Sequence, residues 1–263
     1  MIDPKHVLIY AAITCHGRWD DIFCLLRQKK DLPDPEVIDD VAMRYDGHVI
    51  TVFDEEYPSR LRNSPRPPWA LFYEGDIGLL KDDSKLVAFT GSHDAENPYA
   101  EKKTAEIAKE ITKEGAIVVS GLSRGCQSIA LSSSLSVGKC IAVLGNGIDK
   151  RYPIESSDLQ SKIAKKGLLI SPFPNGVSPS VEGMRARNML LGQLAHFLFV
   201  GVVTKHDGIL LTVASALNVG CDMGCLPFPA DSEYINNSLI RNGAAMIESA
   251  GDLLFEAGLK GAV

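Results

Sequence analysis

The 263-residue chain has no apolar run approaching the ~20 residues that a membrane-spanning helix needs, so no membrane association is expected. The N-terminal stretch MIDPKHVLIYAAITCHGRWDD carries a short apolar patch but neither a basic leader nor a cleavage pattern. No signal peptide is expected, and the expected location is the cytoplasm. Positive charge is not in excess: 27 Lys+Arg stand against 33 Asp+Glu, for a net charge of −6. A protein that coats nucleic acid by bulk electrostatics is usually basic. Binding to a polyanion here would therefore rest on a local cluster and fall steeply with salt.

Several chemical signatures are also missing. There is no G-x-x-x-x-G-K-[ST], and GNGIDK (145–150) lacks the third glycine of G-x-G-x-x-G, so neither ATP hydrolysis nor tight NAD binding is supported and no cofactor is expected. The six cysteines include no C-x-x-C pair. Cys221 and Cys225 are separated by three residues, with no histidine following at ligand spacing. The expectation is small buried hydrophobes in a reducing compartment, with no metal site. No G-x-S-x-G elbow occurs. Ser92-His93-Asp94 and the KHDG of 205–208 place polar residues side by side, where they diverge, whereas a triad converges from separate segments. No catalytic residue is expected, and the chain is not read as an enzyme.

What is present is an ordinary globular composition, 45% apolar and 23% charged, arranged in a regular alternation. Residues 1–48 form a small helical segment, with helical spacing in VLIYAAI, WDDIFCLLRQ and PEVIDDVAMRY. Residues 49–84 hold a strand, HVITVF, and a connector, YPSRLRNSPRPPWALFYEG, which ends in a second strand. Its four prolines between 58 and 68 are expected to keep it extended and free of helix. From 85 to 263 the apolar runs KLVAFTG, AIVVSG, CIAVLG, GLLIS, FLFVGVV, DMGCLPF and AAMI alternate with helical stretches at 98–114, 124–136, 156–166, 186–196, 209–219, 234–241 and 249–257. Continuous apolar strands between amphipathic helices predict an α/β fold, a doubly wound and mostly parallel sheet with helices on both faces. In the first of these helices Ala100, Thr104, Ile107, Ala108 and Ile111 share one face, expected to pack on the sheet.

Ligands of such sheets sit beyond the carboxyl ends of the strands. The exits are GSHD (91–94), SGLSRG (120–125), GNGIDKRYP (145–153), SPFPNG (171–176) and VTKHDG (203–208). Small-residue turns that feed a helix offer backbone N–H groups and a helix dipole to an anion. Glycine turns at three successive exits point to an extended anionic ligand. In MRARNMLLGQL (184–194), Arg185, Arg187 and Asn188 precede an apolar helix. Arginine at a helix start opposes the dipole, so compensation is expected from an internal carboxylate or from a phosphate chain shared with Arg124.

The segments YPSRLRNSPRPPWALFYEGD, VAFTGS, VVSGLSRG, IAVLGNGIDKRYP, GLLIS, RARN, GILLTVASA and LIRNGA follow one another in an order and spacing that resemble the DNA-processing protein A (DprA/Smf) family over residues 49–254. The resemblance implies an extended Rossmann-like core that binds single-stranded DNA, forms a homodimer, and loads the recombinase RecA in natural transformation. The winged-helix domain that many members carry at the C-terminus is not expected here. The departures lie in the pocket. Gly91-Ser92-His93 stands where the family has Gly-Ser-Arg, and Leu131 stands where it has histidine. Ser171-Pro172 replaces a serine–glutamate, Pro227-Phe228 replaces Pro-Gly, and MRARNM replaces FPxRNR. Histidine cannot reproduce the arginine's permanently charged fork, so weaker phosphate binding is implied, strengthening as acidification turns His93 into imidazolium.

By this reading Ser92, His93, Arg124, Lys150, Arg151, Arg187 and Asn188 line the phosphate path, and Gly91, Ser120, Gly121 and Gly147 shape it. Tyr99, Tyr152 and Phe173 are expected to pack rather than to stack on bases. Two other readings stay open. One is a small-nucleotide binder or phosphoribohydrolase, although KHDGILLT (205–212) keeps only Gly208 and Thr212 of the PGGxGT loop. The other is a degenerate paralogue retained for protein–protein contact.

Overall fold

Successive apolar strands and amphipathic helices fold as their spacing predicts. The computed structural model describes residues 2–28, 32–93 and 96–259; Asp94 of the GSHD turn lies outside them. The N-terminal helices are α1 (Pro4–Thr14), α2 (Trp19–Gln28) and α3 (Pro35–Met43). The Asp3 carboxylate caps α1 by accepting from Lys5 N, and Pro4 opens the helix where its missing N–H costs nothing. Next come β1 (His48–Thr51), a one-turn helix α4 (Ser59–Arg62) and β2 (Ala70–Gly75). The helix α4 corrects the expectation that prolines keep this connector wholly extended. Pro58 sits at its N-cap, where a fixed φ suits a helix start, and the next proline comes only at 65.

The core then runs β3 (Leu86–Thr90), α5 (Pro98–Lys113), β4 (Ile117–Ser120), α6 (Cys126–Leu135), β5 (Cys140–Val143), α7 (Ser157–Lys166), β6 (Leu168–Ser171), α8 (Val181–Leu194), β7 (Phe197–Val200), α9 (Leu210–Asn218), β8 (Asp222–Cys225), α10 (Asn236–Arg241), β9 (Ala245–Met246) and α11 (Ala250–Glu256). One nine-stranded sheet has the order β1-β2-β6-β5-β4-β3-β7-β8-β9. The pairs β1–β2 and β2–β6 are antiparallel, with Ile50 opposite Leu71 and Tyr73 opposite Ile170, and the remaining pairs are parallel. The fold is therefore a mostly parallel α/β sheet, extended at one edge by the antiparallel pair.

Alternation along each strand divides the core between the two faces. Val87 and Phe89 pack with Ile107, Ile111 and Leu131 on one side, while Leu86 and Ala88 pack with Leu190, Leu194 and Val213 on the other. The expected face of α5 is buried throughout. Four of the six cysteines are buried; Cys15 is half-buried and Cys24 exposed, a departure from the expectation for those two. Burial pushes the Cys140 and Cys225 thiols up to about 12, so both are neutral packing groups. Among the described residues no helix is long and apolar enough to cross a membrane, and no group of His, Cys, Asp or Glu is placed to hold a metal. From β3 the chain winds outward through β4, β5 and β6, then returns to place β7 on the other side of β3. The carboxyl ends of β3 and β7 thus form the switch point at which this architecture admits ligands.

Candidate nucleic-acid interface

At the switch point itself the chain laces two loops together. Gly91 and Ser92 are buried, and Ser92 N donates to Val202 O at 2.8 Å while its hydroxyl accepts from Thr204 N at 3.0 Å. A Cβ on Gly91 would lie 2.9 Å from Cys126 Cβ, so glycine is required there for the close approach of α6. Ser120, also buried, donates its hydroxyl to Phe89 O at 2.6 Å. Both serines are engaged with backbone. His93 follows at the rim with an exposed side chain.

The β4–α6 turn is organised differently. From Gly121 to Ser123 no backbone N–H is taken up by another backbone group among the described residues. Helix α6 begins after Gly125, which has a φ of 71° and provides no side-chain cap. Uncapped helix N–H groups and the positive end of the dipole therefore gather at this turn. Arg124 sits outermost and pairs with Glu155 at 2.8 Å, both side chains being exposed. The hydrogen bond from Arg124 holds the Glu155 carboxyl below its ordinary range.

Arg187 enters this turn from below. Helix α8 begins at Val181, where the Ser180 hydroxyl accepts from Gly183 N at 2.9 Å. Arg185 and Arg187 thus lie in the second turn rather than at the helix start. The dipole argument for their compensation does not apply, because the field of a helix terminus fades within its first turn. Arg187 is only 7% exposed. Its Nε and one terminal nitrogen donate to Asn188 Oδ1 at 3.2 and 2.8 Å, and the other terminal nitrogen donates to Ser123 Oγ at 3.0 Å. Among the described residues no carboxylate pairs with it, which leaves the internal-carboxylate alternative without support for Arg187. Burial pulls the guanidinium down to about 10, with Tyr152 acting weakly the other way, and the group remains charged at neutral pH.

Around this cation the packing is close. A Cβ on Gly121 would collide with the Gln127 amide and lie 3.0 Å from the Arg187 guanidinium. Gln127 Oε1 is buried without a donor among the described residues. Asn188, 6% exposed, donates to Gly208 O at 3.0 Å and so ties the β7–α9 loop to the same helix. Sequence reasoning missed Ser123 and Gln127. Ser123 lies within SGLSRG but has no role assigned there, and the approach of both to Arg187 in three dimensions marks them.

The β5 exit is held mainly by its own bonds. Gly147 N donates to Val177 O and Lys150 N to Gly147 O, while the Gln160 amide bridges the carbonyls of Ile148 and Lys150. Gly147 is buried, Lys150 half-buried with its ammonium 3.0 Å from Asp149, and Arg151 exposed. Of the nearby aromatics, Phe173 is buried and Tyr99 meets Phe228 edge-on at 5.8 Å. Tyr152 is 46% exposed, next to Arg151. The structure therefore gathers Gly121, Arg187 and Asn188 into one cluster, with Arg124 on the same turn, and places His93, Lys150 and Arg151 on neighbouring exits.

A family model described as DNA recombination-mediator protein A matches residues 48–258. Protein Smf of Synechocystis sp. is 32% identical over 214 residues, which is 80% of this chain and 54% of that protein. The DNA processing protein DprA of Bacillus subtilis is 29% identical over 82% of this chain and 73% of its own length. The chain thus spans about half the length of the Synechocystis relative. The solved structure of DprA from Streptococcus pneumoniae superposes with a TM-score of 0.79 at 24% identity, covering 97% of this chain and 99% of that one. DprA from Helicobacter pylori, described for its single-stranded DNA binding mode, gives 0.72 at 24% identity over 80% and 95%. With the family model covering all nine strands of the sheet, the chain belongs to the DNA recombination-mediator protein A (DprA/Smf) family.

Proposed function

We propose that this protein binds single-stranded DNA along the carboxyl edge of its parallel sheet and acts as a recombination mediator that delivers the strand to RecA. The observation that carries this reading is Arg187: a charged guanidinium, 7% exposed, held among the described residues by neutral groups alone, at a turn whose N–H groups they leave unclaimed. A buried cation without an anion costs several kcal/mol, and a phosphate reaching the cluster would offset that cost. His93, Arg124, Lys150 and Arg151 extend the path to neighbouring exits, while Gly91, Ser92, Ser120, Gly121, Gly147 and Asn188 set its shape. The site's groups are donors and cations, suited to holding a polyanion, and no chemical step or cofactor is assigned to them. The DNA-binding description of the Helicobacter pylori relative and the recombination-mediator description of the family support the same reading.

The proposal includes a cytoplasmic homodimer. Met246 and Phe255 support it as exposed apolar side chains on β9 and α11, consecutive elements at one end of the sheet. The test is an oligo-dT length series at low and moderate salt. Binding that strengthens with length, weakens with salt and is lost on substitution of Arg187 is expected. Equal competition by a mononucleotide would instead make the cluster a small-nucleotide site, and absence of any binding would end the proposal.

A further inference from the structure

A recess lies across α8 from Arg187. It is a cleft of about 370 Å³ between the α1–α2 turn, the segment leading into β2, the β6 exit and the side of α8 that carries Ala186 and Gln193. That volume is within the range of small-molecule sites. One wall is aromatic and rigid. Trp19 stacks on Phe23 and Trp69 at 5.3 and 5.4 Å, donates its indole N–H to Pro67 O at 2.8 Å, and lies under the Arg66 guanidinium at 4.5 Å. Phe173 closes another side.

Two polar groups in these walls have no partner. The Trp69 indole N–H is buried without an acceptor. Gln193, 5% exposed and lining the cleft, has an amide with no hydrogen-bond partner among the described residues. The Trp69 nitrogen is sealed within the wall, whereas the Gln193 amide lines the cleft and calls for a ligand that supplies its missing bonds. That ligand must be flat enough to fit beside the Trp69 and Phe173 rings. It must also present a donor beside an acceptor to the glutamine amide. An adenine edge has this pattern, and glutamine reads it in a bidentate manner. Stacking against aromatic walls with hydrogen bonds to the base edge is how proteins hold an unpaired base.

We infer that this cleft is a binding site for an adenine base, separate from the Arg187 cluster. Helix α8 lies between the two, presenting Ala186 and Gln193 to the cleft and Arg187 to the β4–α6 turn. The inference does not depend on DNA binding at Arg187. The base could come from free adenosine or from a DNA strand, and the test distinguishes these sources.

The chain has two tryptophans, and both line the cleft, so tryptophan emission, excited selectively over tyrosine, reports on this site. Titration of the full chain with adenosine is expected to quench emission saturably below millimolar concentration, with thymidine several-fold weaker. Ala186→Phe fills the cleft without adding a fluorophore and should abolish the response. Gln193→Leu should weaken it about tenfold, the worth of a lost hydrogen bond. Arg187→Met should leave it unchanged even where oligo-dT binding is lost. If Ala186→Phe does not fold, judged by circular dichroism, Gln193→Leu decides. Competition by oligo-dA but not oligo-dT would identify a strand base as the occupant, and its absence would identify the free nucleoside. No saturable quenching at millimolar adenosine, or quenching unaltered by Ala186→Phe and Gln193→Leu, would overturn the inference.

Discussion

Arg187→Met removes the charge at the centre of the cluster while keeping a long, unbranched side chain. Burial draws the guanidinium from its ordinary range down to about 10, which corresponds to an electrostatic penalty of about 3 kcal/mol on the folded state. A cation with a lowered folded value bears that penalty in full below about pH 10, and it is relieved only as the pH rises above that value. At pH 7 the penalty is therefore fully in force, and methionine removes it. Against this, the bonds to Ser123 and Asn188 are lost. Half-exposed Ser123 can turn to water, but buried Asn188 Oδ1 is left without donors, at a cost of about 1–3 kcal/mol. The two effects nearly cancel. Urea unfolding at pH 7 should place the variant within about 1 kcal/mol of the parent. Oligo-dT affinity, read by fluorescence polarisation at low salt, should fall by about thirtyfold or more, the loss of a charge-assisted contact. A variant destabilised by more than about 3 kcal/mol that still bound oligo-dT normally would refute the reasoning, because Arg187 would then be a strut already compensated within the fold.

Three further outcomes are expected. Gly121→Ala drives a methyl group into Gln127 and Arg187; it should destabilise the fold by about 1–3 kcal/mol in urea unfolding and also abolish oligo-dT binding. Glu155→Gln removes the carboxylate that occupies Arg124, and should tighten oligo-dT binding about threefold in low salt, with the gain fading as ionic strength rises. Burial opposes ionisation of Asp54, but bonds from Lys5 and Thr51 outweigh it and hold its carboxyl below the ordinary value of 3.8. Its contribution is present in full above that value and lost as the pH falls below it through the lowered folded value, so Asp54→Asn should flatten the acid limb of the thermal-stability profile below about pH 4.

The strands were legible because a strand buried on both faces must be apolar throughout. CIAV and FLFV declare themselves in this way. The start of α8 was not legible. Its capping residue Ser180 is followed by Gly183, which looks like a break; yet glycine is needed there because a Cβ would strike the Gly145 carbonyl. That misplacement put Arg187 in a first turn it does not occupy. The glycine turns were legible as punctuation, but sequence could not distinguish a turn that spends its amides internally, as at Gly147, from one that leaves them available, as at Gly121. The aromatic cleft left no local trace, since Trp19, Trp69, Phe173 and Gln193 come from four distant segments.

The nine-stranded sheet is flanked at one margin by the four residues of β1 and at the other by the two of β9. Such stubs give an incoming strand little to zip onto, a common defence against runaway cross-chain ladders. Two copies that meet must therefore do so through side chains rather than by extending one sheet into the other. Any such union can be tuned, or undone, by single substitutions that leave every rung of the sheet in place.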